Sequence, residues 1–113
     1  MSKTASAIAQ EQLDAYNAHD LPRFLAVYAE DVKVYRLPAL EPAISGKAAL
    51  AEFYASRFTH PQLQAELVNR IAFGNKVIDH ERVHGLPNSP FEVAASYQVD
   101  DGLITTVWFL AQN

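Results

Sequence analysis

Two tight turns in the second half of the chain constrain its fold more than any other feature. Gly74-Asn75 and Asp101-Gly102 each separate two runs of alternating apolar and polar residues. Glycine in the first position suits a type II′ hairpin turn, and Asp-Gly suits a type I′ turn. The chain after Pro61 is therefore predicted to form antiparallel strands, at residues 63–73, 76–83, 91–99 and 103–111.

The chain before Pro61 is predicted to be mainly helical, because its apolar residues recur at three- and four-residue spacing. Asp20 stands where the N-cap of a second helix is expected, and Pro22 falls in its first turn. A strand is predicted at residues 32–37. The apolar stripes consist of Ala5, Ile8, Ala9, Leu13 and Tyr16 in the first helix and of Leu21, Phe24, Leu25 and Tyr28 in the second.

A third predicted helix has Ser45 as its cap and ends at His60-Pro61, since the residue before a proline is disfavoured in the helical region. One face of this helix combines four large apolar side chains with an arginine, Arg57. Either the stem of Arg57 packs while its charge reaches water, or its guanidinium faces a ligand. The face consists of Leu50, Phe53, Tyr54, Arg57 and Phe58.

Composition narrows the class of protein. The 113 residues are 50% hydrophobic and 19% charged, which predicts a single globular domain over residues 1–113. A net charge of −4 without a long basic run argues against nucleic acid as a partner. The lack of cysteine excludes disulfides and thiolate metal sites, and no run approaches the roughly eighteen apolar residues of a membrane span. Because no signal-peptide core is present either, we expect a cytoplasmic protein.

The last turn predicts which side chains face the helices. Counting back from Asp101-Gly102 pairs Tyr97 with Thr106 and Ala95 with Trp108, which puts Tyr97 and Trp108 on the inner face of the sheet. The opposite face is too apolar for open solvent, and we predict that it is a homodimer interface. That outer face is predicted to carry Leu67, Ile71, Ile78, Val107 and Phe109.

The first turn predicts a charged pair on the same inner face. Counting from Gly74-Asn75 pairs Arg70 with Asp79, and alternation then turns Glu81 inward as well. A buried charge is costly unless it is paired, so an Arg70–Asp79 ion pair is expected. This pair is either structural, or it holds Asp79 as a general base at the bottom of a pocket. A single bulge would instead turn His80 and Arg82 inward.

Residues 80–84 read His-Glu-Arg-Val-His and match the zinc-protease pattern H-E-x-x-H. That pattern works only on a helix, where both imidazoles reach one metal ion. This segment follows a hairpin turn and is predicted to be a strand, on which His80 and His84 would lie about 13 Å apart. We therefore predict no metal site, and no organic cofactor is implied.

The order of these elements resembles the SnoaL-like branch of the nuclear transport factor 2-like superfamily. The resemblance rests on Tyr-Ala-Glu-Asp at 28–31, Ser-Gly-Lys-Ala-Ala-Leu-Ala-Glu-Phe-Tyr at 45–54 and Asp-Gly-Leu-Ile-Thr-Thr-Val-Trp at 101–108. It implies an α+β cone, in which a curved antiparallel sheet wraps around three helices. A ligand cavity at the open end and a dimer through the sheet are further implications.

The resemblance implies several chemistries, because this fold hosts unrelated activities. Ketosteroid isomerases use two acids, but residues 34–38 (Val-Tyr-Arg-Leu-Pro) contain no carboxylate and the second position falls near Ala95. The protein is therefore not expected to be a steroid isomerase. SnoaL-type cyclases use a sheet carboxylate as acid/base, which corresponds to Asp79. Limonene epoxide hydrolase-like enzymes use an Asp-Arg-Asp set, for which Arg70, Asp79 and Glu81 are the nearest equivalents.

The sequence thus predicts a protein that binds a small apolar or cyclic organic molecule, with Asp79 as general acid/base and Arg70 tuning it. The alternatives are a non-catalytic binding protein and a dimerising module whose interior is filled by its own side chains. A cavity of at least about 300 Å³ that contains Asp79 would separate these alternatives. The predicted pocket residues are Tyr16, Phe53, Tyr54, Arg57, Glu81, Tyr97 and Trp108.

Overall fold

A computed structural model describes residues 4–111, which contain three helices and six strands. The helices are α1 (Ala5–Asn17), α2 (Leu21–Leu25) and α3 (Lys47–Arg57), and the strands are β1 (Tyr28–Arg36), β2 (Ile44–Ser45), β3 (Gln64–Phe73), β4 (Lys76–His84), β5 (Phe91–Asp100) and β6 (Leu103–Ala111). The predicted α+β architecture is confirmed. Within residues 4–111, each helix falls short of the length and apolar character needed to cross a membrane.

Side-chain caps begin the first two helices. The hydroxyl of Thr4 accepts a hydrogen bond from the backbone N–H of Ala7 at 3.1 Å, and the carboxylate of Asp20 accepts one from the N–H of Arg23 at 3.1 Å. Both contacts satisfy N–H groups that the helix itself leaves without partners. The prediction of Asp20 as the cap of α2 is confirmed.

The third helix begins differently from the prediction. Its N-cap is Gly46, with φ of +88°, and no side chain caps it. The backbone N–H of Gly46 donates to the carbonyl of Val32 at 2.7 Å, so that Ser45 is drawn into the short strand β2 beside β1. Ser45 is therefore not the cap that the sequence predicted.

The strands form one sheet in the order β2-β1-β6-β5-β4-β3, antiparallel except for the parallel pair β1–β6. The curved sheet packs its inner face against the helices, as the cone predicted from the sequence requires. Strand β1 begins at Tyr28, which was predicted to lie on the second helix. Its side chain is nevertheless buried in the core, because the strand turns it toward α2.

Both predicted hairpin turns are present. Gly74 has φ of +59°, and the strand residues on either side of Gly74-Asn75 pair directly. Asp101 and Gly102 have φ of +51° and +79°, which is the left-handed pair of a type I′ turn. The register of β3 with β4, including Arg70 opposite Asp79, follows as predicted.

A bulge in β6 makes part of the predicted inner face wrong. The register shifts after the second residue pair beyond the turn, which leaves Thr105 without a cross-strand partner. Tyr97 therefore pairs with Val107 and not with Thr106. Because one extra residue exchanges the two faces of a strand, Trp108 lies on the outer face.

The same bulge brings two residues inward that were predicted to lie outside. Val107 is buried in the core, and Phe109 packs against it. Trp108 instead stacks on Tyr35, with ring centroids 6.4 Å apart and planes tilted by 17°. At β6 the outer face thus carries Trp108 and Leu110 in place of Val107 and Phe109.

A second bulge lies in β3, at Val68. It places Leu67 opposite Glu81 on the inner face, where Leu67 packs against the core. Leu67 was predicted on the outer face, so this position is also wrong. Ile71 and Ile78 do pair on the outer face as predicted.

Candidate functional site

A cavity of about 210 Å³ lies between α1, α3 and the inner face of the sheet. Its walls are mainly aromatic and aliphatic, with a few polar groups among them, which is typical of sites for small organic molecules. The lining residues are Gln12, Leu13, Tyr16, Arg36, Leu37, Phe53, Tyr54, Arg57, Glu81, Val83, Phe91, Val93, Tyr97, Phe109 and Ala111.

Six of the nine predicted site residues line this cavity, and three do not. The six are Tyr16, Phe53, Tyr54, Arg57, Glu81 and Tyr97. Trp108 is on the other side of the sheet, while Arg70 and Asp79 lie beside the cavity without lining it. The cavity is also smaller than the expected 300 Å³. Neither part of the criterion is therefore met: the cavity is smaller than expected, and the carboxyl group that lines it belongs to Glu81 and not to Asp79.

Arg70 and Asp79 form a closed ion pair. Nε and Nη2 of Arg70 donate to the two carboxylate oxygens of Asp79 at 2.7 and 3.0 Å, and Nη1 donates to Gln10 of α1 at 2.9 Å. Asp79 is fully buried, and its hydrogen bond raises the pKa of Arg70. Both oxygens of Asp79 are thus engaged by one planar guanidinium, which leaves this carboxylate poorly placed to exchange protons with a ligand.

Glu81 has very different surroundings two residues further along β4. Its side chain is buried at the cavity wall, and among residues 4–111 its Oε2 atom has no hydrogen-bond partner. Burial, and to a smaller extent the charge of Asp79, raise the pKa of Glu81 to about 8 against the opposing charge of Arg70. Glu81 therefore holds its proton at neutral pH in a position that a ligand can reach.

Tyrosines and a glutamine supply the other polar groups in the cavity. The hydroxyl of Tyr97 donates to Oε1 of Gln12 at 3.2 Å. Burial raises the pKa of Tyr97, Tyr54 and Tyr16 above the ordinary tyrosine value, and nearby Glu81 adds to the rise. These hydroxyls stay neutral near pH 7 and can serve as hydrogen-bond donors.

Two arginines stand at the mouth of the cavity. The guanidinium carbon of Arg57 lies 5.0 Å from the ring centroid of Phe53, and that of Arg36 lies 5.5 Å from the same centroid. Arg36 also lies 5.8 Å from the ring of Phe109, its cross-strand partner. Such stacking is a cation–π contact. These contacts hold both guanidiniums over aromatic rings that line the cavity.

Arg36 and Gln12 were missed in the sequence. Arg36 faces inward because β1 pairs with β6 in parallel beyond the bulge, and neither feature was predicted. Gln12 follows Ile8 by four residues, so helical spacing alone places it beside the apolar stripe of α1. A polar residue in that position was a signal that the stripe borders a polar site.

The His-Glu-Arg-Val-His segment lies on β4, as predicted. Glu81 faces the cavity, whereas His80 and His84 face the other side of the sheet. There, Nε2 of His80 contacts Glu92, and Nε2 of His84 lies 3.3 Å from a carboxylate oxygen of Glu66. The strand geometry separates the two histidines from the glutamate between them.

A second, more open cavity of about 360 Å³ adjoins the first. Phe53, Arg57 and Phe91 line both cavities, and Leu86 and Pro87 from the β4–β5 loop close the outer one. Arg57 thus lies at the boundary between the two cavities.

Comparisons with known proteins agree on the architecture. The sequence profile of the SnoaL-like domain matches residues 9–107. A cystatin-fold protein from Novosphingobium aromaticivorans has a TM-score of 0.85 at 23% identity, over 96% of this chain and 98% of that one. A search of curated proteins found no match to the sequence.

Two further solved structures carry functional names. A putative ketosteroid isomerase from Kribbella flavida has a TM-score of 0.82 at 24% identity, over 96% of this chain and 78% of that one. A putative polyketide cyclase from Sinorhizobium meliloti has a TM-score of 0.79 at 22% identity, over 91% of this chain and 93% of that one. At these identities the likeness shows the shared fold.

Proposed function

The chain belongs to the SnoaL-like domain family, a family of small-molecule-binding proteins, and from that premise we propose that it catalyses proton transfer on a small organic molecule with Glu81 as general acid/base. The observation that carries the proposal is the carboxyl oxygen Oε2 of Glu81, buried at the cavity wall without a partner in residues 4–111. A buried polar atom of this kind is costly unless a ligand satisfies it.

The raised pKa of Glu81 suits this role. General acid/base catalysis is most effective when the pKa of the catalytic group is near the working pH, and a value of about 8 meets that condition. The ionised form is a stronger base than an ordinary glutamate, and the protonated form is abundant at pH 7. Among the cavity's described lining residues Glu81 is the one carboxyl group, so it both takes a proton and returns it.

This single carboxyl favours isomerisation or cyclisation of a carbonyl compound. In its ionised form, Glu81 would remove a proton from the carbon next to the carbonyl group, and the carboxylic acid so formed would deliver that proton to another position of the same molecule. Gln12 and Tyr16 offer hydrogen bonds to the ligand's oxygen, since both line the cavity. The reaction needs neither a metal nor an organic cofactor. The names of the Kribbella and Sinorhizobium proteins support the same two reaction classes.

Arg70 and Asp79 support the proposed chemistry from beside the cavity. The sequence predicted Asp79 as the acid/base, but both of its oxygens are held by Arg70. We assign the acid/base role to Glu81 because it reaches the cavity. Asp79 then acts as a positioning residue, since its negative charge helps to hold the proton on Glu81.

Hydrogen–deuterium exchange tests the proposal without a known substrate. Proton NMR in D₂O would follow loss of the signals next to the carbonyl group in 1-indanone, 2-tetralone and 1,3-cyclohexanedione. We expect the protein to accelerate exchange in at least one of them, and Glu81→Gln to reduce that acceleration by roughly 100-fold or more. Glu66→Gln is the matched control, because Glu66 is half exposed on the outer face.

Two outcomes would contradict the catalytic role. Glu81→Gln could exchange protons as fast as the unmodified protein, which would remove Glu81 from the chemistry. The unmodified protein could also leave all three ketones unexchanged while binding them, which would favour the non-catalytic binding protein.

Two predictions from the sequence continue as proposals. We propose a homodimer through the outer sheet face. Two apolar features of that face support it: the half-exposed Ile71 beside Ile78, and the Tyr35–Trp108 stack on β1 and β6. Cytoplasmic location also stays a prediction.

A further inference from the structure

The two arginines at the cavity mouth differ from the other arginines of the chain. Five arginines lie within residues 4–111. Arg23, Arg70 and Arg82 each contact a carboxylate. Arg36 and Arg57 contact none in that part of the chain, although acidic residues outnumber basic ones by 13 to 9. The missing partners are thus not explained by a shortage of acids.

Both of these guanidiniums are held over a single ring, and that of Arg57 also makes a side-chain hydrogen bond with Tyr16. Arg36 ends β1 and Arg57 ends α3, yet their guanidinium carbons lie 5.5 and 5.0 Å from the centroid of Phe53. Stacking on an aromatic ring fixes the plane of a guanidinium and leaves its N–H edges free to donate. Two elements far apart in the sequence therefore present two donor groups to the same mouth.

The charge of the cavity is a second observation about the kind of ligand that it suits. Its charged lining residues are Arg36, Arg57 and Glu81. Since Glu81 holds its proton at neutral pH, the cavity is positive within a protein whose net charge is −4. A positive, mostly apolar cavity in an acidic protein is complementary to an organic anion.

We propose that the ligand is a cyclic or aromatic carboxylic acid whose carboxylate binds Arg36 and Arg57 while its ring enters the cavity. Arginine is suited to this group, because its N–H fork matches the two oxygens of a carboxylate. The inference rests on the proposed small-molecule site and names its substrate class, a keto acid with its carbonyl end toward Glu81. Arg57 also borders the outer cavity, so the carboxylate lies where the ligand leaves the inner one.

A matched pair of probes tests the inference by binding alone. Isothermal titration would compare 2-naphthoate with 2-naphthamide, which has the same ring system and no charge. We expect 2-naphthoate to bind roughly tenfold more tightly than the amide. Arg36→Gln and Arg57→Gln should each weaken 2-naphthoate by about tenfold and change the amide by less than about twofold. Arg82→Gln, on the outer face, is the control and should change neither.

The outcomes separate this inference from the proposed function. Equal affinity of the two probes, or an equal loss of affinity for both probes in the arginine variants, would overturn the carboxylate site. Neither result would contradict the small-molecule site itself. If neither probe binds the unmodified protein, the proposed small-molecule site is contradicted, and so is the inference that rests on it. Binding of 2-naphthoate by Glu81→Gln, together with loss of ketone exchange, would support both proposals.

Discussion

Asp79 and Glu81 lie two residues apart on β4 and both face the helices, yet they have different chemical roles. Arg70 binds both oxygens of Asp79, whereas Oε2 of Glu81 has no partner in the described chain. The first arrangement stabilises a charge, and the second disfavours one. The same carboxyl group on the same face is thus part of a structural ion pair in one position and a candidate acid/base in the other.

The pKa of Glu81 makes stability depend on pH. Below pH 4.5 the folded and unfolded states both bind the proton; between 4.5 and about 8 only the folded state does. The free energy of unfolding should therefore fall by roughly 1.4 kcal/mol per pH unit across this range from Glu81 alone. Urea denaturation of the unmodified protein and Glu81→Gln would isolate that loss, since the glutamine variant lacks it. If the free energies of unfolding of the two proteins changed with pH in parallel, the raised pKa of Glu81 would be contradicted.

Removing Arg70 should destabilise the protein strongly. Arg70→Met leaves the carboxylate of Asp79 buried without its partner, which typically costs about 3–5 kcal/mol. Arg82→Met removes surface ion pairs to Glu66 and Glu92 and should cost no more than about 1 kcal/mol. Chemical denaturation of both variants gives the comparison, and equal losses would mean that the buried pair adds no more than a surface one.

At the scale of elements, the predicted sheet differs from the observed one at two bulges, in β3 and in β6. The hairpin turns and the pairing of β3 with β4 from the turn back to Asn69 followed from turn chemistry and alternation, including Arg70 opposite Asp79. The bulge at Thr105 had no local signal, because Thr105 and Thr106 suit either register. Trp108 was placed on the wrong face for this reason.

Only part of the candidate site was predictable from the sequence, because local patterns do not show how distant elements pack. Helical spacing identified Arg57 as a charge on an aromatic face, and strand alternation identified Asp79 and Glu81 as inward carboxyls. It could not decide which carboxyl reaches the cavity, since that depends on how α1 lies across the sheet and brings Gln10 to Arg70. Arg36 needed the parallel β1–β6 pair, which joins residues far apart in the sequence.

The β4–β5 loop should tolerate no side chain at Gly85. A Cβ atom at this position would lie 2.1 Å from the carbonyl oxygen of Gln62, and the backbone has φ of +84°. Gly74→Ala is the matched control, because Gly74 also has positive φ but open space around it. We expect Gly74→Ala to cost about 1–2 kcal/mol and Gly85→Ala clearly more in thermal or urea unfolding. Equal costs would show that the loop moves away from Gln62 without penalty.

At the scale of the whole molecule, the outer sheet face is the proposed dimer contact. Light scattering coupled to size-exclusion chromatography should give about twice the 12.5 kDa chain mass. Ile71→Lys places a charge on that face at a half-exposed position of the edge strand β3 and should shift the mass toward one chain without changing the circular dichroism spectrum. A single-chain mass for the unmodified protein would exclude the dimer.

The cone brings together groups that the sequence keeps far apart. Its sheet and helices bury Glu81 at the cavity wall and hold Arg36 and Arg57 at the mouth. The central claim is that Glu81 keeps its proton at neutral pH while facing the cavity. Carbon-13 NMR titration of the glutamate side-chain carboxyls, with Glu81→Gln to assign the signal, measures this directly. We expect a midpoint near 8 for Glu81; a midpoint near the ordinary 4.5 would contradict the claim.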